Sequence, residues 1–242
     1  MTNNSLVLIV GKSASGKSAS LRNLPDQQGV VFLNCEAGKE LPFANNFRER
    51  VVIDTKEIYA TFKEAENHPN IHTIVIDSVT FLMDLYETTR VLPAEDGRAA
   101  WGKYAQFFKK LMSKYVAAST KNVIMLAHTM DLLNEKDGVM ETLVKVKGSL
   151  MNNGIESYFC NVIACKKMPL QKLEGYKNDH LIITPEDESL GFKYVYQTKL
   201  TKETINERIR GPLGMWDTSE TFIDNDAQFV LEQLANYYNP ST

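Results

Sequence analysis

Cationic charge is in short supply in this sequence. Lysine and arginine total 27 against 30 aspartates and glutamates, for a formal net charge of −3. That excludes a protein coated in positive charge for indiscriminate nucleic-acid binding, so any contact with DNA or RNA must run through a local patch. Cysteine is scarce as well: Cys35, Cys160 and Cys165 are the only three. Their odd number, with no two-residue spacing and no suitably placed histidine, excludes a disulfide framework and a zinc site. They are expected to be reduced, small and partly buried. Long apolar runs are missing, and no stretch approaches the ~20 residues that cross a bilayer. Residues 1–5 carry no basic n-region and no cleavage site follows, so no signal peptide and no membrane partner are expected. The chain is expected to stay in the cytoplasm. No internal repeat and no low-complexity tract is visible.

What is present suits an ordinary globular protein: 43% hydrophobic and 24% charged residues over 242 positions. With no linker in evidence, residues 1–242 are expected to form one domain. The first two-thirds alternate strand-like and helical segments. Apolar, often β-branched runs at 6–10, 30–33, 51–53, 71–76 and 123–127 suit strands buried on both faces of a parallel sheet. Helical patterns fall at 17–23, 56–66, 78–91 and 98–118. The last of these places Trp101, Tyr104, Phe108, Leu111, Met112 and Tyr115 on a wide apolar stripe, which reads as core packing. Alternation of this kind points to a three-layer α/β domain. In the last third, strands are expected at 158–165, 181–183 and 194–200, as antiparallel additions to the sheet. Turn-rich stretches lie at 166–179 and 184–191, and a final amphipathic helix at 226–238.

Residues 11–18 read Gly-Lys-Ser-Ala-Ser-Gly-Lys-Ser and fit G-x-x-x-x-G-K-[ST] at every fixed position. A strand precedes the motif and a helix is expected after it. The glycines let the backbone fold tightly, so that its N–H groups point at a phosphate. Lys17 is expected to bridge the β- and γ-phosphates, and Ser18 to ligate Mg²⁺. Gly11, Lys12, Ser13, Ala14, Ser15, Gly16, Lys17 and Ser18, with Ser20 shortly beyond, are the candidate nucleotide-contacting residues. Asp77 closes the apolar run at 73–76, where a carboxylate that orients the metal belongs. Glu36 follows the run at 30–33. Strand C-termini of an open α/β sheet line the ligand crevice, which makes Glu36 the candidate general base. His128 closes the run at 123–127, within reach of a γ-phosphate or the attacking water. His68, His72 and His180 form no evident metal cluster with it.

These elements together resemble the RecA-like branch of P-loop ATPases. The resemblance rests on the phosphate loop, the strand into Glu36, the Asp77-Ser78-Val79-Thr80 stretch and the polar residue His128. Trp101-Gly102 with Tyr104, Ala127-His128-Thr129, Lys147-Gly148-Ser149-Leu150 and Glu207-Arg208-Ile209-Arg210-Gly211 narrow it. They resemble the short phage-encoded RecA-core proteins of single-strand annealing and recombination. The resemblance implies a three-layer P-loop fold, with a mainly parallel central sheet and antiparallel C-terminal strands. It also implies an Mg²⁺-dependent ATPase that binds single-stranded DNA and assembles with copies of itself in a ring or filament. The segment 129–147 would be a mobile DNA-binding loop. Lys145, Lys147, Arg208 and Arg210 would be the positive residues offered to a neighbour's γ-phosphate. Arg208 and Arg210 are the preferred pair, acting across the interface or on their own subunit's nucleotide. With Lys166, Lys167, Lys199 and Lys202, these residues would form a local phosphate-binding stripe of steep salt dependence. The phosphate-loop strand begins by about residue 5. No counterpart of the helix and aromatic polymerisation strand ahead of the full RecA core is therefore expected, and the form of assembly stays open. A replicative helicase core or loader, and a nucleotide-gated protein adaptor with slow turnover, are the alternative readings.

Overall fold

A computed structural model describes residues 3–240. Nine strands form one sheet: β1 (Leu6–Gly11), β2 (Val30–Asn34), β3 (Arg48–Val51), β4 (Thr73–Asp77), β5 (Asn122–Asn134), β6 (Val139–Val144), β7 (Val162–Pro169), β8 (Phe192–Gln197) and β9 (Phe222–Asp224). Their spatial order is β3-β2-β4-β5-β1-β7-β8-β9, with β6 paired to the distal part of β5. Every pair from β3 across to β7 is parallel. The β7–β8 and β8–β9 pairs are antiparallel. This is the mainly parallel three-layer α/β fold with antiparallel C-terminal strands that the sequence predicts.

The central strands are uninterrupted apolar runs because both their faces are covered. Successive side chains alternate across the sheet. Leu8 and Val10 of β1 enter one core, while Val7 and Ile9 enter the other. Helices Lys56–Glu66, Val79–Tyr86 and Gly97–Lys110 cover the first face with Phe62, Leu82, Tyr104 and Phe108. The aromatic stripe is core packing, as its spacing predicts. Helix Ala227–Tyr238 covers the other face with Val230 and Leu234, beside Leu21, Leu24 and Phe47. No described helix is long and apolar enough to cross a membrane.

The structure differs from the sequence reading at several places. The helix expected over 17–23 is a single 3-10 turn, Ser18–Leu21. Pro25 and a left-handed Asp26 (φ 41°) end it, and Leu21 and Leu24 anchor it in the second core. The strand expected at 51–53 is β3, three residues earlier; it is an edge strand whose exposed Arg48 and Glu49 conceal it. Residues 181–183 form no strand. They run along the sheet rim, where Ile182 N–H donates to Asp224 Oδ1 and His180 C=O accepts from Asp224 N–H. Most of the segment 129–147 is a β-hairpin rather than a loop, with Thr129↔Val144 to Asn134↔Val139 in register. The 158–165 strand begins at Val162, after a 3-10 turn at Ile155–Tyr158. Within the turn-rich 184–191, Pro185–Leu190 is a helix. Thr184 and Asp187 form a capping box at its start and left-handed Gly191 ends it.

Candidate nucleotide site

Parallel register gathers the candidate residues at one edge of the sheet. Gly11 of β1 stands beside His128 of β5, Leu126 beside Asp77 of β4, and Asp77 beside Asn34 of β2. The four strand ends therefore open on one crevice of about 390 Å³, lined by the loop, Glu36, Lys39, Asp77 and His128. A nucleotide belongs at such a carboxyl edge. A larger cavity of about 520 Å³ lies on the other flank of the loop, beside Lys166 and Arg208. The candidate residues meet in the smaller one: Lys17, Ser18, Asp77 and Glu36 line it and none of them lines the larger.

The loop needs its small residues. A Cβ on Gly11 would sit 2.5 Å from both Cys165 C=O and Ser15 Oγ. Gly16 has φ +92°, and a Cβ there would press on Asn225 and Tyr194. Ala14 is also left-handed, at φ 59°. Lys17 is buried, and its ammonium donates to the carbonyls of Gly11 (3.0 Å) and Lys12 (2.9 Å). Burial lowers its pKa, against the opposing pull of Asp77 and Glu36. Ser20 does not belong with these residues. It is fully buried behind the turn, and its hydroxyl donates to Lys17 C=O. Lys12 points outward to Asp131, 2.6 Å away.

Ser18 Oγ donates to Asp77 Oδ2 at 2.8 Å. The other oxygen, Asp77 Oδ1, is buried without a partner. Burial pushes the Asp77 carboxyl up to about 6. A hydroxyl against a carboxylate with one unpartnered oxygen is a donor set that suits Mg²⁺. That ion keeps much of its coordination for water and phosphate oxygens and needs few protein ligands. No cage of three or more His, Cys, Asp or Glu side chains exists among the described residues.

Glu36 and His128, distant in sequence, meet here: Nε2 of His128 lies 3.2 Å from Oε1 of Glu36. His128 is fixed by its backbone N–H, which donates to Thr80 Oγ1 at 2.9 Å, and by the edge of the Phe81 ring. Glu36 is fixed by its own N–H, which donates to Asn34 Oδ1 at 3.0 Å. The other carboxylate oxygen, Oε2, accepts from Lys39 Nζ at 3.0 Å. The His128 and Lys39 contacts hold the Glu36 carboxyl down at about 2, against its partial burial. Sequence reasoning missed Asn34, Lys39 and Thr80. Asn34 left one signal, a polar residue ending an otherwise apolar strand.

Arg208 and Arg210 are not brought to this crevice. Arg208 is held by Glu156 (3.3 Å) and Glu141 (3.5 Å) on the far flank of the loop. Arg210 is exposed, on a segment bridged to Val162 at the start of β7. Neither arginine lines the crevice that holds Lys17, Ser18 and Asp77. The basic stripe is also thinner than expected. Lys147 pairs with Glu87 and Lys166 with Glu207, while Lys167 lies over the Phe192 ring and Lys199 donates to Trp216 C=O. Of the eight residues, Lys145, Lys202 and Arg210 have no such partner among the described residues.

A family described as an AAA domain matches residues 3–164, the span from β1 into β7 that carries the phosphate loop, Glu36, Asp77 and His128. No curated protein matches the chain. Among solved structures, a KaiC-like protein from the hyperthermophilic archaeon Pyrococcus horikoshii is similar with a TM-score of 0.43 and 12% identity. The alignment covers 84% of this chain and 83% of that one.

Proposed function

The chain belongs to this AAA-domain family, and from that premise we propose that it is an Mg²⁺-dependent ATPase whose turnover is coupled to single-stranded DNA. One observation carries the hydrolase reading: a carboxylate, Glu36, is pinned at the crevice edge by Asn34 and Lys39 of its own turn and by His128 of β5. Backbone N–H groups of residues 13–18 face the β-phosphate, and Lys17 exchanges its loop carbonyls for phosphate oxygens. Ser18 and Asp77 would hold a magnesium ion, which would supply positive charge against the phosphates. Glu36 takes the proton from a water whose oxygen bonds to the γ-phosphorus. The bond from that phosphorus to the bridging oxygen breaks, and its electron pair stays on ADP. His128 orients the carboxylate through its direct contact with Oε1. The proton leaves Glu36 for solvent or the released phosphate.

Metal loading requires Asp77 ionised. With its carboxyl near 6, protons compete for the site below that pH. The magnesium concentration for half-maximal turnover is therefore expected to rise by about tenfold per pH unit below 6 and to level off above it. Magnesium titrations of initial rate from pH 5 to 8 check this; a flat dependence counts against Asp77 as the metal's carboxylate.

The DNA reading is supported by the hairpin of β5 and β6. It continues directly from His128 and exposes Leu132, Leu133 and Met140. Apolar side chains on a projecting ribbon can pack against unpaired bases, which present flat faces whatever their sequence. A strand bound there would pull on the strand that carries His128. Self-assembly in a ring or filament, with Lys145, Arg208 or Arg210 reaching a neighbour's γ-phosphate, belongs to the same proposal. The role is recombination, annealing or repair of the phage type. Initial rates with and without a DNA oligonucleotide at low salt test it. Stimulation that fades steeply with added salt is expected. Absence of both stimulation and binding overturns the DNA reading and favours the nucleotide-gated adaptor. Strand displacement would point to a helicase core.

A further inference from the structure

The turn after β2 carries a second charged side chain into the crevice. Residues 36–39 read Glu-Ala-Gly-Lys, and the chain doubles back over them. Ala37 and Gly38 are both left-handed, at φ 57° and 78°. A left-handed alanine is a costly conformation, of the kind held where surrounding structure over-determines it. Here Asn34 does that. Its Oδ1 accepts from Glu36 N–H, and its Nδ2 donates to Lys39 C=O at 3.0 Å. Lys39 N–H closes the turn on Glu36 C=O at 3.2 Å. The result is that Lys39 Nζ lies 3.0 Å from Glu36 Oε2.

The two partners differ in freedom. The Glu36 side chain is 11% exposed and the Lys39 side chain 69% exposed. An ion pair with one end in solvent is weak and easily exchanged. A terminal phosphate, with more charge and more acceptor oxygens than a carboxylate, competes well for the same ammonium. Lys39 lines the crevice together with Lys17 and Asp77, so its ammonium has a short path to a phosphate seated there.

We propose that Lys39 is the γ-phosphate sensor of this site, moving from Glu36 to the terminal phosphate of a bound nucleoside triphosphate and so freeing the base when substrate is present. This rests on the ATPase reading and names a regulation of that same site. Before the exchange, the Glu36 carboxylate accepts hydrogen bonds from Lys39 and His128 and is a poor proton acceptor. After it, Oε2 is free for the water, and the triphosphate gains a positive charge. A diphosphate leaves the Lys39–Glu36 pair intact. Lys39 therefore separates ATP from ADP, and it spares the site an unproductive base when no γ-phosphate is present.

The test is binding of ADP and of a non-hydrolysable ATP analogue to the full chain, with wild type, Lys39→Ala and Lys39→Arg compared under saturating magnesium. Lys39→Ala is expected to weaken the triphosphate analogue by about tenfold or more while leaving ADP unchanged, and Lys39→Arg to restore most of the difference. The acid limb of the kcat/KM profile is expected to move to higher pH in Lys39→Ala, since Glu36 loses one of its two donors. An unchanged ratio of triphosphate to diphosphate affinity in Lys39→Ala overturns the proposal, even if turnover falls, because a lysine that only braces Glu36 would behave so. If wild type itself binds neither nucleotide, it is the ATPase reading that has failed.

Discussion

Glu36→Gln is expected to lower ATP turnover by about 10²–10⁴-fold while nucleotide binding survives. Glutamine keeps the shape of the side chain but cannot accept the water's proton. The backbone that holds it is unaffected, since Glu36 N–H still donates to Asn34 and the turn to Lys39 still closes. The amide loses its ion pair to Lys39 and its charge-assisted contact with His128. The low carboxyl pKa of the wild type, about 2, gives this variant a second signature. A carboxyl whose folded pKa lies below its unfolded one adds stability above the unfolded value, about 4.3. That stability is lost as pH falls through the folded value. Wild type is therefore expected to lose stability faster than Glu36→Gln between about pH 5 and pH 2. Phosphate release with saturating ATP and denaturant titrations across that range check both. If Glu36→Gln turns over at the wild-type rate, the base lies elsewhere.

Lys17→Met is expected to remove nucleotide binding at concentrations that saturate wild type, and turnover with it. A single preorganised donor at a developing charge is worth about 10²–10³ in rate, and Lys17 contributes to binding besides. Methionine retains much of the buried stem. What disappears is the ammonium, and with it the bonds to the carbonyls of Gly11 and Lys12. Leaving those carbonyls unpaired costs about 1–3 kcal/mol, so a modest loss of thermal stability should accompany the loss of binding. A fluorescent nucleotide titration, with circular dichroism to confirm the fold, separates the two effects. A folded Lys17→Met that binds ATP as wild type does would remove the phosphate loop from the account.

Some of this was legible in the sequence because chemistry left few options. The phosphate loop shows at every fixed position, since only Gly11 tolerates the approach of Cys165 C=O and only Gly16 takes its left-handed turn. Strands β1, β2, β4 and β5 were visible because they are buried on both faces and so are continuous apolar runs. From those strand ends Glu36, Asp77 and His128 followed, and register then placed them together. Edge strand β3 hid behind its charges. The hairpin hid because β6 alternates weakly and its partner is the far end of a strand already assigned. The helix expected over 17–23 is a single turn because Pro25 and left-handed Asp26 follow it closely. The helix Pro185–Leu190 was underread, although Thr184, Pro185 and Asp187 spell a helix start. Lys39 was not legible at all: its place depends on Ala37, a residue type that rarely turns left-handed. Arg208 drew attention as a free cation, and only the fold brings Glu141 and Glu156 against it.

The most direct measurement is phosphate release from γ-labelled ATP by the purified chain, with magnesium and with chelator. The account predicts ADP and phosphate in equal amounts, dependent on magnesium and abolished in Lys17→Met. No release under any magnesium or DNA condition, or release that persists in Lys17→Met, would contradict it.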